Sequence, residues 1–245
     1  MWLQERAACT RFPDAASASA SAAACAADDE PGAILLLQSR PGEFASAEIE
    51  RLHAHVPLAR LVALVGPWCE GEMRSGRPPA GVARVPWRSW PSRLAPELGL
   101  DGSADLGVPP LPRTASDAER LERSLESLKS RLSAGSLAAV CADRRDRFES
   151  LRDSLSLLGV RGIWQWPGVP LDGGAVDLVL IDGWKSWPET VPPPDGDRPP
   201  AVLVLDFPRP EDLQRARAEG ACAVVAEPML LADLAWAIDT ALVPS

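Results

Sequence analysis

The residue types that most often carry out chemistry in enzymes are few and scattered in this sequence. Its 245 residues include five cysteines and two histidines, and no two cysteines form the Cys-x-x-Cys pair of zinc and redox sites. His53 and His55 lie two apart on a predicted helix, so they face different sides of it. The segment 66–81 carries Cys69 and Glu70 but lacks a glycine pattern that would bind phosphate. No complete catalytic constellation is present, which favours a non-enzymatic protein.

The composition argues against several classes of protein. The formal net charge is -9 and 46% of the residues are apolar, as expected for a folded chain without the basic stripe of nucleic-acid-binding domains. An acidic surface also disfavours anionic membranes, and no apolar run reaches the roughly 18 residues of a membrane span. The odd number of cysteines, without a secretory signal, indicates reduced thiols. We therefore expect a cytoplasmic protein that binds neither nucleic acid nor membranes.

Two groups of short apolar runs alternate with amphipathic segments. In the first group, the predicted strands are 33–37, 61–65 and 82–85, and a helix begins near Ser46. The second group has five predicted strands, at 137–141, 160–164, 176–181, 201–205 and 222–225. Runs that are apolar throughout are typical of parallel strands buried on both faces. The pattern predicts an α/β fold of two small doubly wound, flavodoxin-like units, at residues 1–100 and 137–245.

Residues 101–136 are expected to form a linker and a helix between these units. Residues 101–115 are rich in Gly, Pro, Asp and Ser, and Ser116 with Glu119 has the form of a capping box. The helix then carries leucines at 4-3-4 spacing, namely Leu121, Leu125, Leu128 and Leu132. This stripe could form a coiled-coil seam that makes a dimer. Because two heptads are marginal for an isolated pair, a helix that packs on its own domain is favoured.

Three stretches of the second unit together follow a pattern known from signalling proteins. Residues 140–159 read as a strand, an acidic residue and a helix, and residues 176–182 as an apolar strand that ends in Asp182. Residues 216–228 are similar to an Ala-Gly-Ala…Lys-Pro ending. The second unit thus resembles the receiver domain of bacterial response regulators. The resemblance implies that Asp182 is the phospho-acceptor, that Asp143 helps to hold Mg²⁺, and that the partner is a protein.

Three positions depart from the receiver pattern. Ala142, Asp206 and Glu227 stand where the family has an acid, a Ser or Thr, and a Lys. The resemblance implies that this lysine balances charge, so its replacement would leave four acids in one pocket without a cation from the protein. We therefore expect a degenerate receiver. Binding of Mg²⁺ by Asp143 and Asp182, with phosphorylation of Asp182, is the alternative.

The first unit shows the same alternation of strands and helices in a weaker form. Its first predicted strand ends at Gln38, without an acid where the phospho-acceptor would stand. The preceding residues, 2–14, hold at most a short helix and a short strand, so the first strand of a full receiver is expected to be absent. An upstream start codon and completion by another chain are two hypotheses for this gap.

The nine tryptophans, in a chain without tyrosine, are the last unusual feature. Five of them lie near predicted strand ends or in loops, namely Trp68, Trp87, Trp90, Trp184 and Trp187. Tryptophan is a common anchor of protein interfaces, and it also covers small sheets. The two roles are given equal weight here.

The leading functional hypothesis is a signalling or scaffold protein that acts through protein contacts. One alternative is a stand-alone receiver of a phosphorelay with Asp182 as acceptor. Another is an α/β enzyme that handles a nucleotide or a sugar at the strand carboxyl ends. A deep pocket that joins Cys69, Glu70 and the tryptophans would favour the enzyme.

Overall fold

The structure is a computed structural model, and it describes most of the chain in two groups of elements. The described residues are 3–4, 7–26, 30–69, 71–72, 76, 78–98, 100, 111–112, 114–129, 132, 135–166, 176–187 and 199–242. The helices are α1 Ala15–Ala23, α2 Ser46–His55, α3 Trp90–Leu98, α4 Asp117–Lys129, α5 Arg145–Leu157, α6 Pro210–Ala218 and α7 Leu231–Leu242. The strands are β1 Ala33–Gln38, β2 Arg60–Val65, β3 Ala83–Pro86, β4 Leu137–Cys141, β5 Arg161–Gln165, β6 Leu178–Asp182, β7 Ala201–Asp206 and β8 Ala221–Glu227. Glu70 and most of the predicted linker, 101–110, lie outside the described residues.

The first compact unit, Met1–Arg120, is built on a parallel sheet of three strands in the order β1-β2-β3. Helix α2 covers one face of the sheet, where Ile49 packs against Leu36 and Leu61. Helix α3 covers the other face through Leu94, which lies against Val62 and other strand residues. The three strands agree with the predicted ones, and continuous apolar runs form them because both faces are covered.

Helix α3 was not expected from the sequence. It contains Pro91 in its first turn, where a missing N–H costs little, and Pro96 in its interior. Interior proline usually breaks a helix, which is why the segment did not read as helical. Burial of Leu94, which is only 2% exposed, against β2 and β3 offsets this penalty. Tertiary packing has here overridden local preference.

The second compact unit, Leu121–Ser245, holds a parallel sheet of five strands in the order β5-β4-β6-β7-β8. This order is that of flavodoxin-like doubly wound sheets. Helices α5 and α7 cover one face, with Leu151, Leu155 and Ile238 in the core. Helix α6 packs on the other face through Ala216. The predicted α/β fold with two parallel-sheet units is confirmed.

Three of the four leucines of the predicted stripe, Leu125, Leu128 and Leu132, pack in the core of the second unit. The predicted capping box is present, because the Ser116 N–H donates to Glu119 Oε2 at 2.7 Å and the Glu119 N–H to Ser116 Oγ at 3.3 Å. Leu128 is only 3% exposed, and Leu125 packs beside it. These contacts agree with the favoured interpretation, in which the helix packs on its own domain. The compact units divide inside the predicted 101–136 segment, at Arg120 and Leu121.

Two further features concern backbone geometry and membranes. Gly159 lies just after the carboxyl end of α5 and has a φ of 76°. This is the left-handed conformation, which glycine adopts without a steric penalty.

No helix in the described ranges is long and apolar enough to cross a membrane.

Candidate functional site

The candidate site of the second unit lies at the carboxyl ends of its parallel strands. Asp182 is the last residue of β6, and Glu227 is the last residue of β8. Helix α5 begins at Arg145, soon after β4 ends at Cys141, so its first turn stands above the same edge of the sheet. Open α/β sheets bind ligands at this edge.

Arg147, in the first turn of α5, joins the two acids. Its Nη2 donates to Asp182 Oδ1 at 2.6 Å and its Nε to Asp182 Oδ2 at 3.0 Å. The same Nη2 also donates to Glu227 Oε2 at 2.6 Å. The side chains of Arg147, Asp182 and Glu227 are 29%, 10% and 18% exposed, so the cluster is largely shielded from water. We call these three residues the Arg147 cluster.

The charges of the Arg147 cluster correct one expectation from the sequence. A pocket of four acids without a cation from the protein was expected, and this is wrong because Arg147 supplies the cation. The hydrogen bonds to Asp182 and Glu227 raise the pKa of Arg147 further above its usual value, so it is always charged. A cation in the first turn of a helix opposes the helix dipole. Pairing with two carboxylates offsets that cost.

The other receiver positions do not join this cluster through any described contact. Asp143 and Asp206 are both exposed. Asp206 lies beside Glu227 in the register of β7 and β8, and the next residue, Phe207, has a φ of 42°. Ala142 is fully buried, and its carbonyl accepts a hydrogen bond from Trp164 Nε1 at 3.0 Å. The position where the family has an acid is thus part of the apolar core.

The residues at this edge do not fit the Mg²⁺ ion that the receiver resemblance implies. Magnesium requires several oxygen ligands arranged around it. Both carboxylate oxygens of Asp182 accept hydrogen bonds from Arg147, and Ala142 offers no side-chain oxygen. The described part of the chain has no group of three or more His, Cys, Asp or Glu side chains that could hold a metal ion.

The first unit has a charged cluster of its own near the carboxyl ends of its strands. Gln38 ends β1, at the place where Asp182 ends β6, and its Nε2 donates to Glu72 Oε2 at 3.2 Å. Arg84 of β3 donates to Glu72 Oε2 at 2.6 Å and to Gln38 Oε1 at 3.3 Å. The Gly42 N–H also donates to Glu72. Gln38 and Glu72 are each 5% exposed, so their polar atoms are occupied within the protein.

Two buried cysteines lie close to these clusters. Burial and the nearby Glu72 raise the pKa of the Cys69 thiol, which donates to the Gln38 carbonyl at 3.7 Å. Burial raises the pKa of Cys141 to about 12. A reactive cysteine requires the thiolate form and access to reagents, so neither thiol resembles a nucleophile. The neighbouring Trp68 is 82% exposed, whereas Cys69 is buried.

The other tryptophans named from the sequence are partly buried. Trp90 packs against the core under α3, and Trp87 is half-buried. Trp184 and Trp187 pack on the core under α6, and the guanidinium of Arg215 lies 4.1 Å from the Trp184 ring. Of the five candidates, Trp68 alone is largely exposed. The structure also exposes Trp166, by 56%, beside Trp164.

Arg147 was missed at the sequence level, although a signal for it was present. Two acids without a cation predict that a basic residue is nearby, since buried charges are paired. The first turn of the helix after β4 is adjacent to the strand ends, and it carries Arg145 and Arg147. Arg145 instead pairs with Glu149 along the helix surface. The choice between the two arginines depends on which side of α5 faces the sheet.

The similarity to known proteins is confined to solved structures and covers less than half of the chain. No protein family model matches, and no curated protein is similar. The chain is similar to the solved structure of ShkA Rec1 in complex with c-di-GMP, at 19% identity and a TM-score of 0.35, over 46% of this chain and 97% of that one. It is also similar to a response regulator receiver domain protein from Clostridium thermocellum, at 15% identity and a TM-score of 0.34, over 45% and 94% of the two chains.

Proposed function

We propose that this protein is a non-enzymatic signalling or scaffold protein whose second unit is a degenerate receiver domain. The proposal rests on one observation, the binding of Asp182 and Glu227 by Arg147. The arginine neutralises the acceptor carboxylate that a phosphorylated receiver needs. The domain would keep a single conformation without being phosphorylated. It would act through protein contacts in the cytoplasm.

The geometry of the Arg147 cluster opposes phosphorylation of Asp182. An aspartate attacks a phosphoryl donor with a free carboxylate oxygen, and both oxygens of Asp182 accept hydrogen bonds from Arg147. Glu227, 18% exposed, is a second negative charge within the cluster. Because like charges repel, Glu227 disfavours the approach of a phosphate group. The Mg²⁺ that would offset this repulsion lacks a fitting set of ligands.

The Arg147 cluster supports a role in binding rather than in chemistry. It connects α5, β6 and β8 by charge-assisted hydrogen bonds, which are stronger than neutral ones. These three elements would therefore be held together without a phosphoryl group. Exposed aromatic rings at Trp68 and Trp166 are the type of side chain that anchors protein partners.

Phosphorylation can be tested directly with labelled acetyl phosphate and Mg²⁺. We expect no stable label on the wild-type protein, and an active receiver domain labelled in parallel confirms that the reagent works. A label that disappears in Asp182→Asn but remains in the matched acid variant Asp206→Asn would overturn the proposal. That result would favour the phosphorelay alternative.

The binding role is tested by capturing partners from the native host. Wild-type protein and Asp182→Asn are expected to recover the same partner, because binding does not depend on phosphorylation. Loss of the partner in Asp182→Asn, with retention in Asp206→Asn, would contradict this expectation.

A further inference from the structure

The strand β1 of the first unit has one open edge. It is the terminal strand of the order β1-β2-β3, and no strand within the described residues pairs with its other side. On the side that faces β2, the Gly32 carbonyl accepts a hydrogen bond from the Arg60 backbone N–H at 2.9 Å. The Gln38 carbonyl likewise accepts one from the Gly66 backbone N–H at 2.8 Å. Backbone groups alternate in direction along a strand. Those of Ala33, Leu35 and Leu37 therefore point to the open edge.

This open edge lacks two features that prevent edge strands from pairing with other chains, namely charged residues and prolines. Charged residues and prolines are the usual protection of an edge. The edge strand β3 contains Arg84 and Pro86, β5 begins with Arg161, and β8 ends with Glu227. The sequence of β1, Ala-Ile-Leu-Leu-Leu-Gln, has neither a charge nor a proline. Its Leu37 side chain is 64% exposed.

We propose that β1 pairs with β1 of a second copy of this chain, in antiparallel orientation with Leu35 on the two-fold axis. In this register Leu35 lies opposite Leu35 of the second copy, and Leu37 lies opposite Ala33. Each such pair exchanges two backbone hydrogen bonds, about six in all. The large exposed Leu37 covers the small Ala33, so the pairing is complementary in size. The two sheets of three strands become one sheet of six.

Charge and symmetry favour a second copy over another occupant. Each chain carries a net charge of -9, so the charges of two copies repel each other, and this repulsion is weakest at a contact surface without charged residues. The β1 edge meets that condition, whereas a charged peptide would find no opposite charge on it. A two-fold contact is closed. The opposite edge strand of each sheet, β3, carries Arg84 and Pro86. These residues would prevent a further strand from adding to the sheet of six.

The first test is sedimentation of the full chain over a range of concentrations. We expect a dimer for the wild type, and a dissociation constant at least about tenfold higher for Leu37→Lys, which places two charges at the interface. The matched control is Leu58→Lys, because Leu58 is 89% exposed and lies outside β1. It should dimerise like the wild type. A wild type that stays monomeric, or equal effects of the two substitutions, would overturn the proposal.

The second test is the register of the pairing, read by disulfide formation. Directly opposed, hydrogen-bonded residues have Cα atoms about 5.5 Å apart, which a disulfide can bridge. Leu35→Cys should therefore form a covalent dimer on oxidation, in a background with the exposed Cys9 and Cys25 changed to Ser. Leu37→Cys should not form a covalent dimer, because residue 37 lies opposite residue 33 of the second copy. The two introduced cysteines are therefore too far apart for a disulfide. Equal crosslinking of the two variants, or none, would overturn the proposed pairing.

Discussion

Arg147 supplies, from a helix, the cation that was not expected from the sequence at this edge of the sheet. Its guanidinium bridges two acids, Asp182 and Glu227. Arg147 and Asp182 are 35 residues apart in sequence, and Arg147 and Glu227 are 80 apart. The bridge therefore joins residues that only the fold brings together.

Removal of Arg147 should destabilise the second unit. Arg147→Ala leaves two largely buried carboxylates without a cation, and we expect the free energy of unfolding to fall by about 1–3 kcal/mol. Urea unfolding followed by circular dichroism measures this change. The matched control is Arg145→Ala, which breaks an exposed ion pair with Glu149 on the same helix and should cost less than about 0.5 kcal/mol. Equal losses for the two variants would show that the cluster contributes no stability.

At the scale of elements, tertiary packing decides whether α3 forms and how closely the turn after β2 approaches the end of β1. Helix α3 forms despite Pro96 because Leu94 is buried against the sheet. The turn after β2 depends on a close approach of two backbones, since the Gly66 N–H donates to the Gln38 carbonyl at 2.8 Å. A Cβ at Gly66 would lie 3.1 Å from the Ser39 carbonyl oxygen. Only glycine fits there without displacement.

Substitution of Gly66 should therefore destabilise the first unit. Gly66→Ala forces the turn after β1 and the turn after β2 apart, and we expect a loss of about 1–3 kcal/mol in the free energy of unfolding. Gly32→Ala is the matched control, because a Cβ at Gly32 meets nothing within 4 Å. It should be neutral or slightly stabilising, since alanine reduces the entropy of the unfolded chain. Thermal unfolding of the two variants separates the outcomes, and similar melting temperatures would contradict the packing argument.

At the scale of the whole molecule, Leu125 and Leu128 of α4 pack in the core of the second unit. Leu128 is 3% exposed and belongs to the same cluster as Leu155 and Ile238. In the first unit, β1 is an apolar, uncharged edge strand from which an assembly can be built. The two proposals are independent, since the Arg147 cluster lies in the second unit and β1 in the first.

Truncation of Leu128 should separate stability from assembly. Leu128→Ala creates a cavity in the second core, and we expect a loss of about 2–5 kcal/mol. The sedimentation behaviour of the folded protein should stay that of the wild type, because Leu128 is buried within its own unit. Glu126→Ala, on the exposed side of α4, controls for the change in helix composition. A variant that keeps its stability but loses a dimer would instead support the coiled-coil seam.

The sequence by itself determined the features that depend on neighbouring residues. The strands, the Ser116 capping box and the glycine at 159 follow from local periodicity and preference, so they could be predicted. The altered positions Ala142, Asp206 and Glu227 were also visible, because a resemblance aligns them one by one. The pairing of Asp182 and Glu227 with Arg147 was not visible from the sequence.

The tertiary structure decided what depends on contacts between distant residues. Which arginine of α5 meets Asp182, which surface buries the leucines of α4, and whether a proline-containing segment is helical all depend on elements far away in the chain. Local patterns cannot report such contacts, since they leave open which surfaces will meet. The candidate site therefore changed from a set of unpaired acids to a neutralising bridge centred on Arg147.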